Sequence, residues 1–234
     1  MAILFGALGD IHGDFATVRR IVKAHPDVPF WLCVGDVADE HGRYEPLGAP
    51  IYWIKGNNEN FDLVGEAARQ GPPYMLLDNL FYIPNAQLID VAAASTTGHL
   101  RVAGLGGTFA PTMYDTPAAE LPHPKKGSAK ATELADRRRH FVREEVEACK
   151  RMTQVDVLLT HEAPRPFRVG PIDAGKTPIN DVLTALKPRL HLFGHHHRFA
   201  EMDVKGVRSV CLDVVGRGHL LVDLETLDFT VAGP

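Results

Sequence analysis

At 234 residues, with 45% apolar and 23% charged side chains, the chain has the composition of an ordinary globular protein, which excludes disordered and collagen-like classes. Its formal net charge of −4 gives no general drive toward nucleic acid. No apolar run approaches the roughly 18–20 residues of a membrane-crossing helix, so no membrane partner is expected.

Ile3–Leu8 is a continuous apolar run, short and without a basic start, and it predicts a strand buried on both faces rather than a signal peptide. Asp14 then caps a predicted helix carrying Val18, Ile21 and Val22 on one side. Phe30–Val34 and Ile51–Ile54 predict two more buried strands, ended by Gly35-Asp36 and by Gly56-Asn57-Asn58-Glu59, and Phe61–Arg69 reads as helical. Short strands alternating with helices point to βαβ units and a largely parallel sheet. Further strands are expected at Leu80–Ile83, Gln87–Val91 and Leu100–Ala103. Residues 108–129 hold four prolines and little periodicity, which predicts a long loop. From about Lys130 to Met152, Leu134, Phe141, Val142, Val146, Cys149 and Met152 fall on one helical stripe. Loop and helix together form an insertion over about 108–152. Val155–Leu159 and Arg189–Phe193 are expected strands with a helix at Ile179–Leu186 between them. Val207–Val215, Leu220–Leu224 and Phe229–Val231 read as an antiparallel meander.

Five apolar strands each end in a polar cluster able to bind metal: Asp10/His12, Asp36, Asn57, His161 and His195/His197. In open α/β sheets, ligands bind beyond the carboxyl ends of the strands. Clusters spread over almost the whole chain can therefore converge on one site, which predicts one domain over residues 1–234. Cys33, Cys149 and Cys211 are odd in number and lack CxxC spacing, as expected of buried thiols in a reducing cytoplasm.

Gly9-Asp10-Ile11-His12-Gly13, Gly35-Asp36, Gly56-Asn57-Asn58-Glu59, Leu159-Thr160-His161 and Gly194-His195-His196-His197, in that order, resemble the motifs of the calcineurin-like metallophosphoesterase superfamily. The resemblance implies an α/β fold, a four-layer sandwich of two central mixed β-sheets flanked by helices, with a dinuclear metal centre at the strand ends. Carried over by position, Asp10, His12 and His197 would hold one metal. Asp36 would bridge the pair, and Asn57, His161 and His195 would complete the second. Asn57 is preferred over Asn58 as the amide ligand because it directly follows the glycine. Carboxylate, imidazole and amide oxygen without thiolate suit two divalent ions drawn from Mn, Fe, Zn, Ni or Mg, with Mn favoured.

Two divalent ions set against two carboxylates and a bridging hydroxide leave a cluster of about +1, a seat for a phosphoryl oxygen. Hydroxide is available because water on such ions is acidified to a pKa of roughly 7, and the ion pair can clamp an in-line displacement. The expected substrate is a phosphate ester. Most catalytic members of the superfamily carry histidine where this chain has Asn58, and an amide cannot deliver a proton to a leaving group. General acid catalysis is worth roughly 10²–10⁴-fold, so its loss should hurt poor leaving groups most. Superfamily members lacking this histidine often resemble phosphodiesterases, and the resemblance therefore implies a diester rather than a monoester. His41, His99, His123 and His219 are the candidates for a substitute acid. Asn58, His161 and His195 are the expected catalytic residues.

Around this set, His196 is expected to point away by strand alternation. Asp39 and Glu40 read as a solvated loop, and Glu59 as a hydrogen-bond acceptor behind the ligands. Arg137-Arg138-Arg139-His140, with Lys125, Lys126, Lys130 and Arg143, is the one basic concentration, balanced by Glu133, Asp136, Glu144, Glu145 and Glu147. On the predicted helix Arg138 falls within the apolar stripe, so it must snorkel, pair with Glu145 or meet an anion. That makes it a candidate substrate contact. Gly106-Gly107 before the loop and charged helix is similar in layout to the RNA lariat debranching branch of the superfamily. Nucleic acid is therefore a possible but not a favoured substrate. The rival readings are a nuclease-type phosphodiesterase and a catalytically weak protein-interaction scaffold, with no particular protein partner indicated.

Overall fold

A computed structural model describes residues 3–92, 99–124 and 135–234. The first third folds as β1 (Leu4–Leu8), α1 (Phe15–Ala24), β2 (Trp31–Cys33), β3 (Ile51–Trp53) and α2 (Phe61–Gln70). Next come β4 (Met75–Leu77), β5 (Leu80–Tyr82), β6 (Leu88–Ala92), β7 (His99–Leu105), β8 (Thr108–Phe109), β9 (His140–Phe141), α3 (Arg143–Cys149) and β10 (Val157–Thr160). The chain finishes with β11 (Arg168–Val169), β12 (Ile172–Asp173), α4 (Thr177–Leu186), β13 (Leu190–Phe193), β14 (Ala200–Val204), β15 (Val207–Cys211), β16 (His219–Asp223) and β17 (Phe229–Ala232).

Two sheets carry the fold. One has seven strands in the order β17-β16-β1-β2-β3-β5-β4, the other six in the order β14-β15-β13-β10-β7-β6. Each has a parallel centre, β1-β2-β3-β5 in the first and β7-β10-β13-β15 in the second. Side-chain alternation builds the layers. Phe5, Ala7, Leu32 and Val34 of the first sheet meet Val157, Leu159, Leu190 and Leu192 of the second in one buried core. The alternate residues Leu8, Trp31, Cys33, Ile51 and Trp53 turn outward onto Phe15, Val18 and Ile21 of α1 and Val64 and Ala67 of α2. Behind the second sheet, Ala103, Leu105 and Leu158 pack on Val146 and Cys149 of α3 and Ile179, Val182 and Leu183 of α4. The result is helix, sheet, sheet, helix, the expected four-layer sandwich.

Local chemistry starts the first helices where expected. Asp14 Oδ1 accepts from Thr17 N at 3.2 Å ahead of α1, and Asn60 Oδ1 accepts from Leu63 N at 3.3 Å ahead of α2. The predicted helix over about 130–152 is not what forms. Residues 125–134 lie outside those described, and Lys125, Lys126, Lys130, Glu133 and Leu134 with them. After them come a 3₁₀ turn at Arg137–Arg139, the two-residue β9 paired with β8, and only then the seven-residue α3. The cause is Lys55, whose ammonium donates to the carbonyls of Arg138 at 2.8 Å and His140 at 3.2 Å. An α-helix would need those carbonyls for its own ladder. The helix begins instead where the Glu145 side chain accepts from Val142 N at 2.9 Å. The C-terminal meander is also revised: β15 pairs parallel with β13 in the second sheet, while β16 and β17 belong to the first.

Candidate metal centre

Every expected donor sits just beyond the carboxyl end of a central strand: Asp10 and His12 after β1, Asp36 after β2, Asn57 after β3, His161 after β10, His195 and His197 after β13. The sheets lie face to face, so these ends meet. His197 Nε2 is 3.1 Å from Asp10 Oδ2 and 3.0 Å from His12 Nε2. Asp36 Oδ2 lies between the two halves, 3.7 Å from His12 Nε2 and 3.6 Å from His161 Nε2. Asn57 Oδ1 is 3.1 Å from His161 Nε2. Two groups have the compactness of a metal site, with donor atoms within 4.8 Å of one another: Asp10, His12 and His197, and Asp10, Asp36 and His161. His195 is outside both groups but adjacent, its ring centroid 5.0 Å from that of His161 and its amide N donating to both Asp10 oxygens at 3.1 and 3.2 Å.

The backbone is bent to allow this. His12, Asp36, His195 and His197 have φ of 47°, 50°, 69° and 48°, the left-handed region in which side-chain-bearing residues are uncommon. Glycines make room for the carboxylates. A Cβ on Gly56 would stand 1.9 Å from Asp36 Oδ1, and one on Gly194 would stand 2.3 Å from Asp10 Oδ1.

The donor set fits divalent cations. His161 Nδ1 donates to the Val34 carbonyl at 2.8 Å, which leaves its Nε2 lone pair facing Asn57 Oδ1 and Asp36 Oδ2. Three electron-pair donors converging without a proton call for positive charge among them. Protonation equilibria carry the same demand. Burial would lower the His161 imidazole, but Asp36 and Asp10 outweigh it and raise the group above its ordinary value. Burial would raise Asp10, yet the His197 hydrogen bond and the His161 charge hold it below the ordinary carboxylate range. The hydrogen bond to Asp10 raises His197, whereas burial lowers His195 to about 4 and keeps it neutral.

Asn58 reaches Asp36 twice, through its backbone N to Oδ1 at 2.8 Å and its side-chain Nδ2 to Oδ2 at 3.0 Å. Glu59 stands behind them, accepting from Val37, Ala38 and Gly56 backbone N–H groups and from the Tyr44 hydroxyl at 2.9 Å. It ties the β2 and β3 loops together. A cavity of about 510 Å³ opens beside His12, Asn57 and Asn58. None of the four histidines considered as a substitute acid lines it: His41 faces Glu40, His99 pairs with Asp90, His123 binds the Leu121 carbonyl, and His219 meets His25. His196 packs its ring on Phe167 with centroids 4.6 Å apart. Asp39 and Glu40 border the cavity, with Asp39 engaged by Arg43 and the His41 backbone N–H.

Arg138 does not open onto this cavity. Its guanidinium is held by Asp136 at 2.6 Å and by Asp62 at 2.8 Å, and it borders a separate recess with Lys55 and Glu145. Its neighbour Arg139 lines the cavity instead. The sequence shows Arg139 only as a member of the basic stretch Arg137–Arg139, and Lys55 is not singled out. The available signal was Lys55 itself, a charge closing the apolar run Ile51-Tyr52-Trp53-Ile54.

The whole architecture recurs in solved structures of distant sequence. TT1561 of Thermus thermophilus superposes with a TM-score of 0.65 at 14% identity, over 100% of this chain and 99% of that one. The phosphopantetheinyl hydrolase PptH of Mycobacterium tuberculosis gives 0.52 at 16% identity, covering 92% and 90%. The calcineurin-like phosphoesterase YfkN of Bacillus subtilis gives 0.50 at 13% identity, covering 99% and 88%. A search of curated proteins finds no match. Among the described residues, no helix is long and apolar enough to cross a membrane. The sequence matches the calcineurin-like phosphoesterase family over residues 3–199, the span that carries all five strand-end clusters, and the chain belongs to that family.

Proposed function

We propose that the protein is a phosphodiesterase dependent on two divalent ions, Mn by preference. Asp10, His12 and His197 would hold one ion, Asn57, His161 and His195 the other, with Asp36 shared. The observation that carries this reading is the position of Asp36 Oδ2, almost equidistant from His12 and His161, the imidazoles of the two halves. When bound, the ions supply Lewis acidity toward a phosphoryl oxygen and acidify water to a pKa of roughly 7. The chain's own groups orient that chemistry. Asn58 fixes Asp36 through two hydrogen bonds, the His195 backbone N–H fixes Asp10, and the Val34 carbonyl sets the tautomer of His161.

The preference for diesters rests on Asn58. It donates hydrogen bonds but no proton, and none of His41, His99, His123 and His219 lines the cavity. An ester with a good leaving group needs no acid, and superfamily members that lack a histidine at this place often resemble phosphodiesterases. A nuclease role is not favoured, because the Arg138 charge is neutralised by Asp136 and Asp62. The free, buried state of Cys33, Cys149 and Cys211 supports a reducing cytoplasm as the working location. The test is elemental analysis followed by hydrolysis of matched aryl mono- and diesters in each divalent ion. Diester turnover above monoester turnover is expected, and the reverse order would overturn the argument from Asn58.

A further inference from the structure

Two neighbouring arginines are treated differently by the fold. Arg138 is saturated by two carboxylates. Arg139 donates only from Nε, to the Asp136 carbonyl at 2.9 Å, and among the described residues no acceptor meets its two terminal nitrogens. It is half-buried on the wall of the cavity that also exposes His12, Asn57 and Asn58. The other charges on that wall are mostly spent. Asp136 is taken by Arg138, Asp39 by Arg43, and Glu59 by its four donors. The guanidinium thus stands on the wall of a cavity of about 510 Å³, far larger than a single phosphate, and among the described residues no carboxylate is bonded to it; the exposed Glu40 of the same wall lies by His41 instead.

The backbone under Arg139 is fixed with unusual care. Lys55, 8% exposed, clamps the carbonyls on either side of it, those of Arg138 and His140. The Arg139 carbonyl lies against Gly107, where a Cβ would stand 2.5 Å from it. Lys55 directly precedes Gly56-Asn57, so one ammonium ties the metal-ligand loop of β3 to the turn that carries Arg139. Lys55 thus holds the carbonyls on either side, and among the described residues no carboxylate is bonded to the side chain of the residue between them.

We propose that Arg139 is the substrate-anion receptor of this cavity, its terminal nitrogens taking a phosphoryl or carboxylate oxygen group of the substrate, and that Lys55 is the positioning residue that aims it. The proposal rests on the phosphoesterase reading for its substrate class. Its chemistry admits two sources, the scissile phosphoryl group itself or a second anionic group elsewhere on the ester. The experiment compares Arg139→Ala and Arg139→Lys with the parent protein on an aryl phosphodiester lacking any further charge and on one bearing an added carboxylate. Inorganic phosphate binding is measured calorimetrically alongside. Loss of a charge-assisted, forked contact is expected to weaken phosphate binding and raise KM by roughly 10- to 100-fold in Arg139→Ala, with Arg139→Lys recovering only part.

A loss on both esters assigns the scissile phosphoryl group, and a loss on the carboxylated ester alone assigns the second anion. Unchanged phosphate affinity and unchanged KM on both esters would overturn the proposal. Lys55→Met, with Lys55→Arg should the former fail to fold, is expected to raise KM while sparing kcat. Combined with Arg139→Ala, it should add little further. Fully additive losses would remove Lys55 from its positioning role. Should the parent protein bind phosphate through Arg139 yet hydrolyse neither ester in any divalent ion, the phosphoesterase reading fails and the anion receptor stands.

Discussion

The two sheets bring unlike chemistry to one pocket mouth. The first delivers Asp10, Asp36, Asn57 and Asn58, with His12 as its lone imidazole, while the second delivers only imidazoles, His161, His195 and His197. Negative charge therefore comes from one side and directional nitrogen donors from the other. Neither sheet holds a complete donor set, and each compact donor group draws on both. The site exists only as far as the sheets stay packed, so the apolar core between them is part of the candidate metal centre in an energetic sense.

The comparison is broken most severely at Asp36, the carboxylate that faces imidazoles of both sheets. Asp36→Asn keeps the shape and one acceptor but halves the negative charge contributed by the first sheet. Losing several kcal/mol of transition-state stabilisation corresponds to about a 10³-fold fall in kcat/KM. The expected outcome is that fall with a near-parental circular dichroism spectrum, and turnover within a few-fold of the parent would show that the sheets do not share this carboxylate.

Next in size is the packing between the sheets. Leu159 lies fully buried in the shared core, two residues before His161. Leu159→Ala is expected to cost about 2–5 kcal/mol of stability in chemical denaturation. Because the donors face one another across that core, elemental analysis after dialysis should show metal retained less well than in the parent. Full retention despite the lost stability would separate the centre from the core.

A third change sharpens the contrast by adding an imidazole to the first sheet. Asn58→His restores a group able to give a proton, and monoester turnover should rise by about 100-fold relative to diester turnover, the lower end of what general acid catalysis contributes. An unchanged mono- to diester ratio would mean that position 58 does not decide the substrate class.

The same comparison shows what was legible in the sequence. Each expected donor closes an apolar run, so a strand, its end and a polar cluster are read together, and the sequence puts Asp10, Asp36, His161 and His195 at strand ends, where the fold has them. What escaped depended on partners distant in sequence. Lys55 binds carbonyls 83 and 85 positions away, and no local pattern announces that those carbonyls are unavailable to a helix. The apolar stripe around Phe141 and Val146 records buried side chains and is silent about the backbone, which is why a long helix was expected where a 3₁₀ turn, a short strand and a seven-residue helix form. Arg138 inherited its assignment from that helix, and the turn moved exposure to the cavity by one residue, to Arg139. The C-terminal strands were legible one by one, but alternation within a strand does not say which sheet it joins, so the crossing from β15 to β16 was hidden.

The smallest expected effect lies on the outer face of the second sheet, where the two sheets differ again. The first turns Trp31 and Trp53 outward against its helices, whereas the second turns out His191, fully buried between Thr160 Oγ1 at 2.9 Å and Ser209 Oγ at 3.1 Å. Burial lowers the His191 imidazole to about 3. An unfolded histidine has a pKa near 6.5, so below that value the unfolded chain binds a proton that the folded chain refuses. Stability contributed by a neutral His191 is complete above 6.5 and is lost as the pH falls, by about 2 kcal/mol between pH 7 and pH 5. A neutral His191 has one N–H, so one of the two hydroxyls donates to its ring; His191→Phe removes the titration, and both hydroxyls then have the carbonyls of Glu162 and Val207 as acceptors. Urea denaturation of parent and variant across that range should therefore give curves that converge toward acid. Parallel curves would mean that His191 takes up its proton without unfolding, and that the polar knot behind the second sheet is open to water in a way that the tryptophan face of the first is not.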